Sequence, residues 1–375
     1  MAYPTPVRSS QDVIDLASCS AHAFDDVSLL ICHELRTPLA SIQGALKLLG
    51  YQQSGSLSDD GQKLLAIAIN NADRLTRLAD ALENQPAPLL TLLSTAEMDL
   101  LQLENDLHQA VEQQQIYLDY QPIVVVDKGQ ETGQIIGFEA LARWQHGQRG
   151  AISPEVFIPL AEKAGLINRL GLSLLDQACQ QLHHWQTQFP SRVPLSVSVN
   201  LSAVQLLQPQ LVGAIAHILQ QNHIAPSSLK LEVTESALIE NKDLALATLA
   251  QLQQLGIQLY IDDFGTGYSS LGRLQDLPFD TLKIDRSFIR NKNWAMSEAI
   301  LMLAQRLQLD VIVEGVETLE DLKCLQALGY QKMQGYYFSK PINSASATGL
   351  LLRQALDNTS PLSLAQLSLA QLSPT

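Results

Sequence analysis

The sequence predicts an α/β protein built on a TIM-type (β/α)8 barrel, preceded by an all-α helical hairpin. Short apolar runs alternate with amphipathic stretches of helix length from about residue 117 onward, which is the pattern of repeated β/α units. Seven of these runs lead into a polar residue at the expected strand end. The N-terminal part instead carries apolar positions at alternating spacings of three and four, which is typical of paired helices.

Nearly all of the polar residues at the seven predicted strand ends have side-chain oxygens that can bind a metal ion. They are Glu139, Asn200, Glu232, Asp262 with Asp263, Lys283, Glu314 and Gln334. A single acid in such a position is most often a surface carboxylate or a helix cap. Barrels of this type, however, gather their catalytic groups at the C-terminal ends of the strands. Seven in succession therefore predict one pocket rimmed by oxygens with one lysine, which suits a divalent metal and an anionic substrate.

Length and composition limit the possible functions. The chain has 375 residues, of which 46% are hydrophobic and 17% charged, and this composition fits a globular protein. A (β/α)8 barrel takes about 250 residues, which leaves room for one small further domain. The formal net charge of −14 argues against polymeric nucleic acid as a partner, because phosphate backbones are bound by basic surfaces. A small nucleotide held through metal ions stays compatible with this charge.

The cysteines and the hydropathy indicate a cytoplasmic location. The four cysteines show neither a Cys-x-x-Cys pair nor a zinc-ligand spacing, so we expect reduced thiols. The sequence contains neither an apolar stretch of membrane-spanning length nor a signal-peptide pattern at Met1. We therefore expect no association with a membrane.

The domain organisation follows from the same patterns. We predict an N-terminal extension at 1–19, a helical hairpin at 20–84, a linker at 85–97 containing Pro86 and Pro88, a barrel domain at 98–355 and a low-complexity tail at 356–375. The hairpin seams have apolar spacings of four and three, as in Leu35, Leu39, Ile42, Leu46 and Leu49. Two helices bury too little surface to be stable alone, so we expect a homodimer that pairs two hairpins as a four-helix bundle.

The motifs around the predicted strand ends resemble those of the EAL-domain family, the phosphodiesterases of the bacterial second messenger cyclic di-GMP. The resemblance covers roughly residues 98 to 355. It is carried by Glu139-Ala140-Leu141-Ala142-Arg143, Asn200-Leu201-Ser202, Glu232-Val233-Thr234-Glu235, Asp262-Asp263-Phe264-Gly265, Lys283-Ile284-Asp285, Glu314-Gly315-Val316-Glu317, Gln334-Gly335-Tyr336 and, near the first strand, Tyr120-Gln121-Pro122-Ile123.

The resemblance implies a role for each of these side chains. Glu139, Asn200, Glu232 and Asp262 would hold one metal ion, and Asp262 with Asp263 would hold a second, each Mg²⁺ or Mn²⁺. Lys283 and Glu314 would be catalytic, acting on the attacking water and the developing charge. The remaining residues would bind substrate or support the site: Gln121, Arg143, Glu235, Glu317 and Gln334. Of these, Arg143 would grip a phosphate oxygen, Glu235 would anchor the loop after Asp263, and Glu317 and Gln334 would complete the shell of metal and water. The family barrel has an antiparallel first strand, so we expect one here.

The function implied is metal-dependent hydrolysis of cyclic di-GMP to linear pGpG. Two alternatives stay open: a non-catalytic receptor of cyclic di-GMP, and a phosphorelay scaffold. The complete set of acids and the lysine argues against the receptor, because such receptors lose part of the metal set.

A second resemblance covers roughly residues 20 to 84. The run His33-Glu34-Leu35-Arg36-Thr37-Pro38 is similar to the phosphoacceptor box of sensor histidine kinases. In that family the histidine lies on the first helix of a dimeric four-helix bundle. The family's ATP-binding domain has no counterpart in this sequence, where the barrel takes its place. Two interpretations of His33 therefore stay open: a phosphoacceptor served by a separate histidine kinase or phosphotransfer protein, or a remnant in a hairpin that only dimerises.

Overall fold

The computed structural model describes residues 95–191, 193–234, 242–265 and 277–357. The predicted hairpin at 20–84 with His33, and the predicted loop anchor Glu235, lie outside the described residues.

One nine-stranded sheet forms the centre of the described part of the chain, and eight of its strands close into a barrel. The order is β1-β9-β8-β7-β6-β5-β4-β2-β3, and a further pairing of β1 with β2 completes the closure. The strands are β1 (Ile116–Val125), β2 (Gln134–His146), β3 (Gly150–Ile152), β4 (Ser196–Asn200), β5 (Leu229–Thr234), β6 (Gln258–Phe264), β7 (Thr281–Ile284), β8 (Asp310–Val313) and β9 (Lys332–Met333).

The first strand runs against its neighbours, as predicted. β1 pairs antiparallel with both β2 and β9, whereas β2 pairs parallel with β4 and the series stays parallel through β9. The predicted barrel architecture and its antiparallel first strand are therefore confirmed. β2 contributes only Gly137 to Ala140 to its pairing with β4. Its later residues extend past that pairing alongside β1 and β3.

Helices follow most strands and cover the outside of the barrel. Within the described residues they are α1 (Thr95–Glu112), α2 (Pro154–Lys163), α3 (Ile167–Gln188), α4 (Ala203–Leu206), α5 (Leu211–Gln221), α6 (Lys242–Gln254), α7 (Arg286–Arg290), α8 (Trp294–Arg306), α9 (Leu319–Leu328) and α10 (Ser344–Asp357). None of the described helices has both the length and the apolar character that crossing a bilayer requires.

The helix starts carry the residues that sequence rules favour. Ser202 and Gln205 form a capping box at α4, and Thr318 and Asp321 form one at α9. In each box a side-chain oxygen accepts from a backbone N–H that the helix leaves unpaired. These caps fix where the chain turns from a strand end into the next helix, and thereby the shape of the barrel mouth.

The core between the sheet and the helices holds two of the three tryptophans. Trp185 of α3 packs against Tyr120 of β1 and Phe138 of β2, with ring centroids 4.9 and 4.6 Å away. Its indole N–H donates to Thr348 Oγ1 of α10 at 2.8 Å. Trp144 is also buried, against Phe157. Both tryptophans are therefore packing residues of the core.

The predicted position of several site residues at strand ends is wrong. Glu139 lies in the middle of β2, and Glu232 and Lys283 lie inside β5 and β7. Because successive strand residues face opposite sides of a sheet, an acid followed by an apolar residue can still belong to the strand and face the barrel axis. The apolar residues that follow, such as Val233 and Ile284, are buried in the main hydrophobic core.

Candidate active site

The barrel mouth is organised around one buried lysine. Lys283 of β7 is fully buried, and its Nζ lies 2.6 Å from Glu232 Oε2, 2.5 Å from Glu314 Oε1, 3.1 Å from Asp262 Oδ1 and 3.2 Å from Glu139 Oε2. These carboxylates come from β5, the residue after β8, β6 and β2. Residues distant in sequence thus meet because the strands converge at one end of the barrel.

Amide side chains fix the orientation of Glu139. Asn200, at the end of β4, donates from Nδ2 to Glu139 Oε1 at 3.0 Å. Gln334, just after β9, directs its Nε2 to Glu139 Oε2 at 2.6 Å and to Gln121 Oε1 of β1 at 2.9 Å. Gln121 in turn donates to the carbonyl of Ser339 at 3.1 Å. Both carboxylate oxygens of Glu139 are thereby held by amides that come from the ends of two other strands, β4 and β9.

Two groups of three acids overlap at this mouth. Glu139, Glu232 and Asp262 form one group, and Asp262, Asp263 and Glu314 form the other. In each group one oxygen from each residue lies within 4.8 Å of the others. Carboxylate oxygens are the ligands that Mg²⁺ and Mn²⁺ prefer. Because the groups share Asp262, a carboxylate at that position can bridge two neighbouring cations.

An irregular backbone allows two consecutive acids to face the same site. Neighbouring residues of a regular strand point to opposite faces, which would separate Asp262 from Asp263. Here the pairing of β6 with β7 shifts register between Ile261 and Phe264, and Asp263 has a φ of +53°. This left-handed conformation is one that Asp adopts more readily than most residues. The irregularity therefore brings both carboxylates to the barrel mouth.

The charges at the mouth do not balance. Burial raises the pKa of Glu314 to about 8 despite the opposing charge of Lys283. Burial, and then the nearby Glu139, raises the pKa of Glu232 well above its usual range. The pKa of Glu139 is raised by burial but lowered overall by Lys283 and by the amides of Gln334 and Asn200. One lysine thus faces more carboxylates than it can neutralise, and added cations would relieve the excess.

The donor set fits divalent metal ions. Glu232 Oε1 is buried and has no hydrogen-bond partner among the described residues. A buried oxygen without a partner is costly, and coordination to a cation would satisfy it. All the candidate ligands are oxygens, which matches a hard cation rather than zinc or copper.

Close backbone contacts hold the loops that carry Glu314 and Gln334. A Cβ added at Gly335 would lie 2.2 Å from Val316 O and 2.3 Å from Val316 N. Gly315 has a φ of +74°, and a Cβ there would lie 2.5 Å from Arg286 Cβ. The N–H of Val316 donates to the carbonyl of Gln334 at 3.2 Å. Glycine is therefore required at both positions, next to the two site residues.

Two predicted residues lie apart from the acids. The carboxylate of Glu317 belongs to neither acid group; its side chain is 50% exposed, and its Oε1 lies 4.0 Å from Nη2 of Arg290. The role predicted for Glu317, in binding substrate or supporting the site, therefore stays a prediction. The left-handed Gly315 turns the chain between Glu314 and Glu317. Arg143 lies on the extension of β2, half-buried, with its Nε donating to Asp119 Oδ2 at 3.0 Å.

Sequence reasoning did not single out Asp119. The residue lies on β1, two positions before Gln121, and the antiparallel register brings it beside the β2 segment that carries Arg143. An alternation of polar residues at 117, 119 and 121 in an otherwise apolar strand was the available signal.

Fold and site together define a β/α-barrel protein with an acidic centre suited to metal. The particular family follows from comparison with known proteins: the EAL domain model matches residues 104–341, and the chain belongs to that family. The His Kinase A (phospho-acceptor) domain model matches residues 30–84.

Similar proteins include two from Pseudomonas aeruginosa. The bifunctional diguanylate cyclase/cyclic di-GMP phosphodiesterase MucR is 39% identical over 76% of this chain and 41% of its own length. The cyclic di-GMP phosphodiesterase NbdA is 40% identical over 70% of this chain and 33% of its own length. The chain thus spans less than half of either relative.

Solved structures show the same fold. The MucR phosphodiesterase in complex with c-di-GMP is 41% identical, with a TM-score of 0.61, and the match covers 66% of this chain and 99% of that one. The EAL enzyme Bd1971, in its cAMP- and cyclic-di-GMP-bound form, is 31% identical, with a TM-score of 0.65 over 79% of this chain and 77% of that one.

Proposed function

We propose that this chain is a phosphodiesterase that hydrolyses cyclic di-GMP to linear pGpG with two divalent metal ions, Mg²⁺ or Mn²⁺. The observation that carries the proposal is the pair of overlapping acid groups that share Asp262 at the barrel mouth. The names of the similar proteins MucR and NbdA support the choice of substrate.

In this proposal Glu139, Asn200, Glu232 and Asp262 hold one ion, and Asp262 with Asp263 holds the other. Ions held by these residues would supply Lewis-acid stabilisation of the phosphate and would make a bound water more acidic. Gln334 and Gln121 keep Glu139 in its ligating orientation through the hydrogen bonds described above.

The proposed catalytic residues are Lys283 and Glu314. The Lys283 ammonium, already within 2.5 Å of Glu314 Oε1, lies where it can stabilise negative charge that develops on the phosphate or on the attacking water. The Glu314 carboxylate faces the same site as Asp262 and Asp263, where it can orient the attacking water or accept its proton. Arg143 provides a guanidinium for a phosphate oxygen. Glu235 stays a predicted anchor of the loop after Asp263.

The decisive experiment is product analysis. Purified full-length chain is incubated with cyclic di-GMP and Mg²⁺ or Mn²⁺, and the products are separated by chromatography. We expect pGpG from the wild type, and none in EDTA or from Glu139→Gln. The matched control is Glu131→Gln, an exposed acid paired with Lys323 at 3.3 Å, which should behave as wild type. Undiminished hydrolysis in EDTA would contradict a metal-dependent reaction.

The same assay separates the alternatives. A chain that binds cyclic di-GMP but never cleaves it is a receptor. A chain that neither binds nor cleaves it, yet accepts a phosphoryl group on His33 from a separate kinase, is a phosphorelay scaffold.

The match of residues 30–84 to the phosphoacceptor domain supports a further proposal, that the hairpin makes the chain a homodimer. Phosphorylation of His33 by a histidine kinase or phosphotransfer partner is the second role that this match favours.

A further inference from the structure

The segment of β1 and β2 beyond the acid cluster presents one continuous face. In the antiparallel register Gln121 lies opposite Glu139, Asp119 opposite Leu141 and Tyr117 opposite Arg143. Side chains alternate along a strand, so all six belong to the face that carries Glu139. The alternate residues, such as Tyr120 and Phe138, pack on the other face against α3. Arg143 therefore lies on the same surface as the acids, two alternate positions beyond Glu139.

Two hydrogen bonds hold the guanidinium of Arg143 on this face. Its Nε donates to Asp119 Oδ2 at 3.0 Å, and its Nη1 donates to the carbonyl of Ala142 at 3.0 Å. Both side chains of the ion pair stay partly open to solvent, 27% exposed for Arg143 and 21% for Asp119. An ion pair this exposed contributes little to folding. Its effect is to restrict a long side chain that would otherwise sample many rotamers.

We propose that Asp119 is a positioning residue, which orients the guanidinium of Arg143 to receive a phosphate group of the substrate. This inference rests on the proposed function, because the phosphate belongs to cyclic di-GMP. A guanidinium recognises phosphate through a planar fork of N–H donors, so its orientation decides whether two bonds or one can form. Fixing that orientation before binding removes part of the ordering cost from the binding step.

The opposite effect of Asp119 is also physically possible, and it makes the inference testable. A carboxylate near an anion-binding group repels the anion. If repulsion dominates, removing Asp119 tightens substrate binding; if positioning dominates, removal weakens it. The sign of the change in KM thus distinguishes the two effects.

The experiment is steady-state kinetics of the full chain with cyclic di-GMP and Mg²⁺. Asp119→Ala should raise KM about tenfold, the loss expected when a charge-assisted hydrogen bond no longer holds a binding group. The kcat should stay within about twofold, because the acids and Lys283 are untouched. Asp119→Asn keeps an acceptor for Nε and should fall between Asp119→Ala and wild type.

A double-mutant cycle tests whether Asp119 acts through Arg143. In an Arg143→Ala background, Asp119→Ala should change KM no further, because the group that it positions is gone. Glu131→Ala, at an exposed pair of similar length, is the matched control and should leave KM unchanged. Melting temperatures of all variants separate a loss of fold from a loss of positioning.

Three results would overturn the inference. They are an unchanged or lowered KM in Asp119→Ala, an Asp119→Asn variant no better than Asp119→Ala, and an equal effect of Asp119→Ala with and without Arg143. A wild-type chain without hydrolysis or binding of cyclic di-GMP overturns the proposed function and this inference together. Failure of the inference alone leaves wild-type turnover intact.

Discussion

At the residue scale, the buried Lys283 supplies the positive charge that partly neutralises the carboxylates of the barrel mouth. Four carboxylates approach its Nζ within 3.2 Å. Removing one member of a buried ionic cluster leaves uncompensated charge, at a typical cost of about 3–5 kcal/mol. Lys283→Met should therefore lower the free energy of unfolding by about this amount when EDTA is present.

If metal ions bind at the barrel mouth, the stability lost in Lys283→Met should depend on whether they are present. Mg²⁺ or Mn²⁺ should raise the melting temperature of Lys283→Met by more than that of the wild type, because the ions replace the missing positive charge. Thermal unfolding with and without metal measures both. Lys323→Met removes an exposed lysine that pairs with Glu131 at 3.3 Å, so it should change stability by less than about 1 kcal/mol. Equal metal effects in wild type and Lys283→Met would contradict the prediction.

Asp263 combines a charge with an unusual backbone conformation, and two variants separate these properties. Asp263→Asn keeps a side chain that tolerates a φ of +53°. Its free energy of unfolding should lie within about 0.5 kcal/mol of the wild-type value. Its rate of hydrolysis should fall at least about tenfold, because the metal site is weakened. Asp263→Val should lose activity and, in addition, about 1–3 kcal/mol of the free energy of unfolding, because β-branched residues are strained at positive φ. Denaturant unfolding and product formation, measured together, check both variants.

At the element scale, the loops after β8 and β9 act as one unit. Gly335 lies against the backbone of Val316, where an added Cβ would come within 2.2 Å of an oxygen. Gly335→Ala must push the two loops apart, so it should cost about 1–3 kcal/mol. It should also lower hydrolysis, because Glu314 and Gln334 are the neighbouring residues. Denaturant unfolding and turnover are the measurements.

Gly213 supplies the control for that substitution. It lies inside α5, and an added Cβ would meet no atom within 4 Å. Gly213→Ala should therefore stabilise the chain by about 0.5–1 kcal/mol through helix propensity and leave turnover unchanged. A Gly335→Ala variant with wild-type turnover would show that the two loops do not position the site.

The sequence predicted the barrel and the list of acids, but not how the acids reach one another. Strand patterns identified Glu139 and Glu232, yet the extent of β2 and β5 depends on pairing with neighbours that are distant in the sequence. The left-handed conformation of Asp263 arises from a register shift against β7, which no local pattern reveals. The place of Glu317 outside both acid groups was equally invisible, since motif resemblance does not show that Gly315 turns the chain. Asp119 became visible only through the antiparallel register with β2.

At the scale of the whole molecule, the proposed dimer gives a prediction about the two domains. Removing residues 1–88 should weaken self-association in sedimentation velocity, because the predicted seams lie in the removed hairpin. His33→Ala should leave dimerisation and basal hydrolysis of the purified chain nearly unchanged, because His33 belongs neither to the predicted apolar seam nor to the proposed catalytic and metal-binding residues of the barrel. A truncated chain that stays fully dimeric would contradict the proposed role of the hairpin. Phosphate transfer from ATP to His33 without a second protein would contradict the proposal that a separate kinase or phosphotransfer protein phosphorylates His33.

The pairing of the first strand with the last also determines when the barrel can be completed during synthesis. β1 is made first, but it closes the barrel only by pairing with β9 at Val124 and Met333. The neighbouring N–H of Ile135 donates to the side chain of Gln354, 219 residues further along the chain. Until β9 has left the ribosome, the nascent sheet has open edges that can pair with other chains. Closure of the barrel should therefore wait for the synthesis of β9, and the open sheet that precedes closure should be the species most prone to pair with other chains.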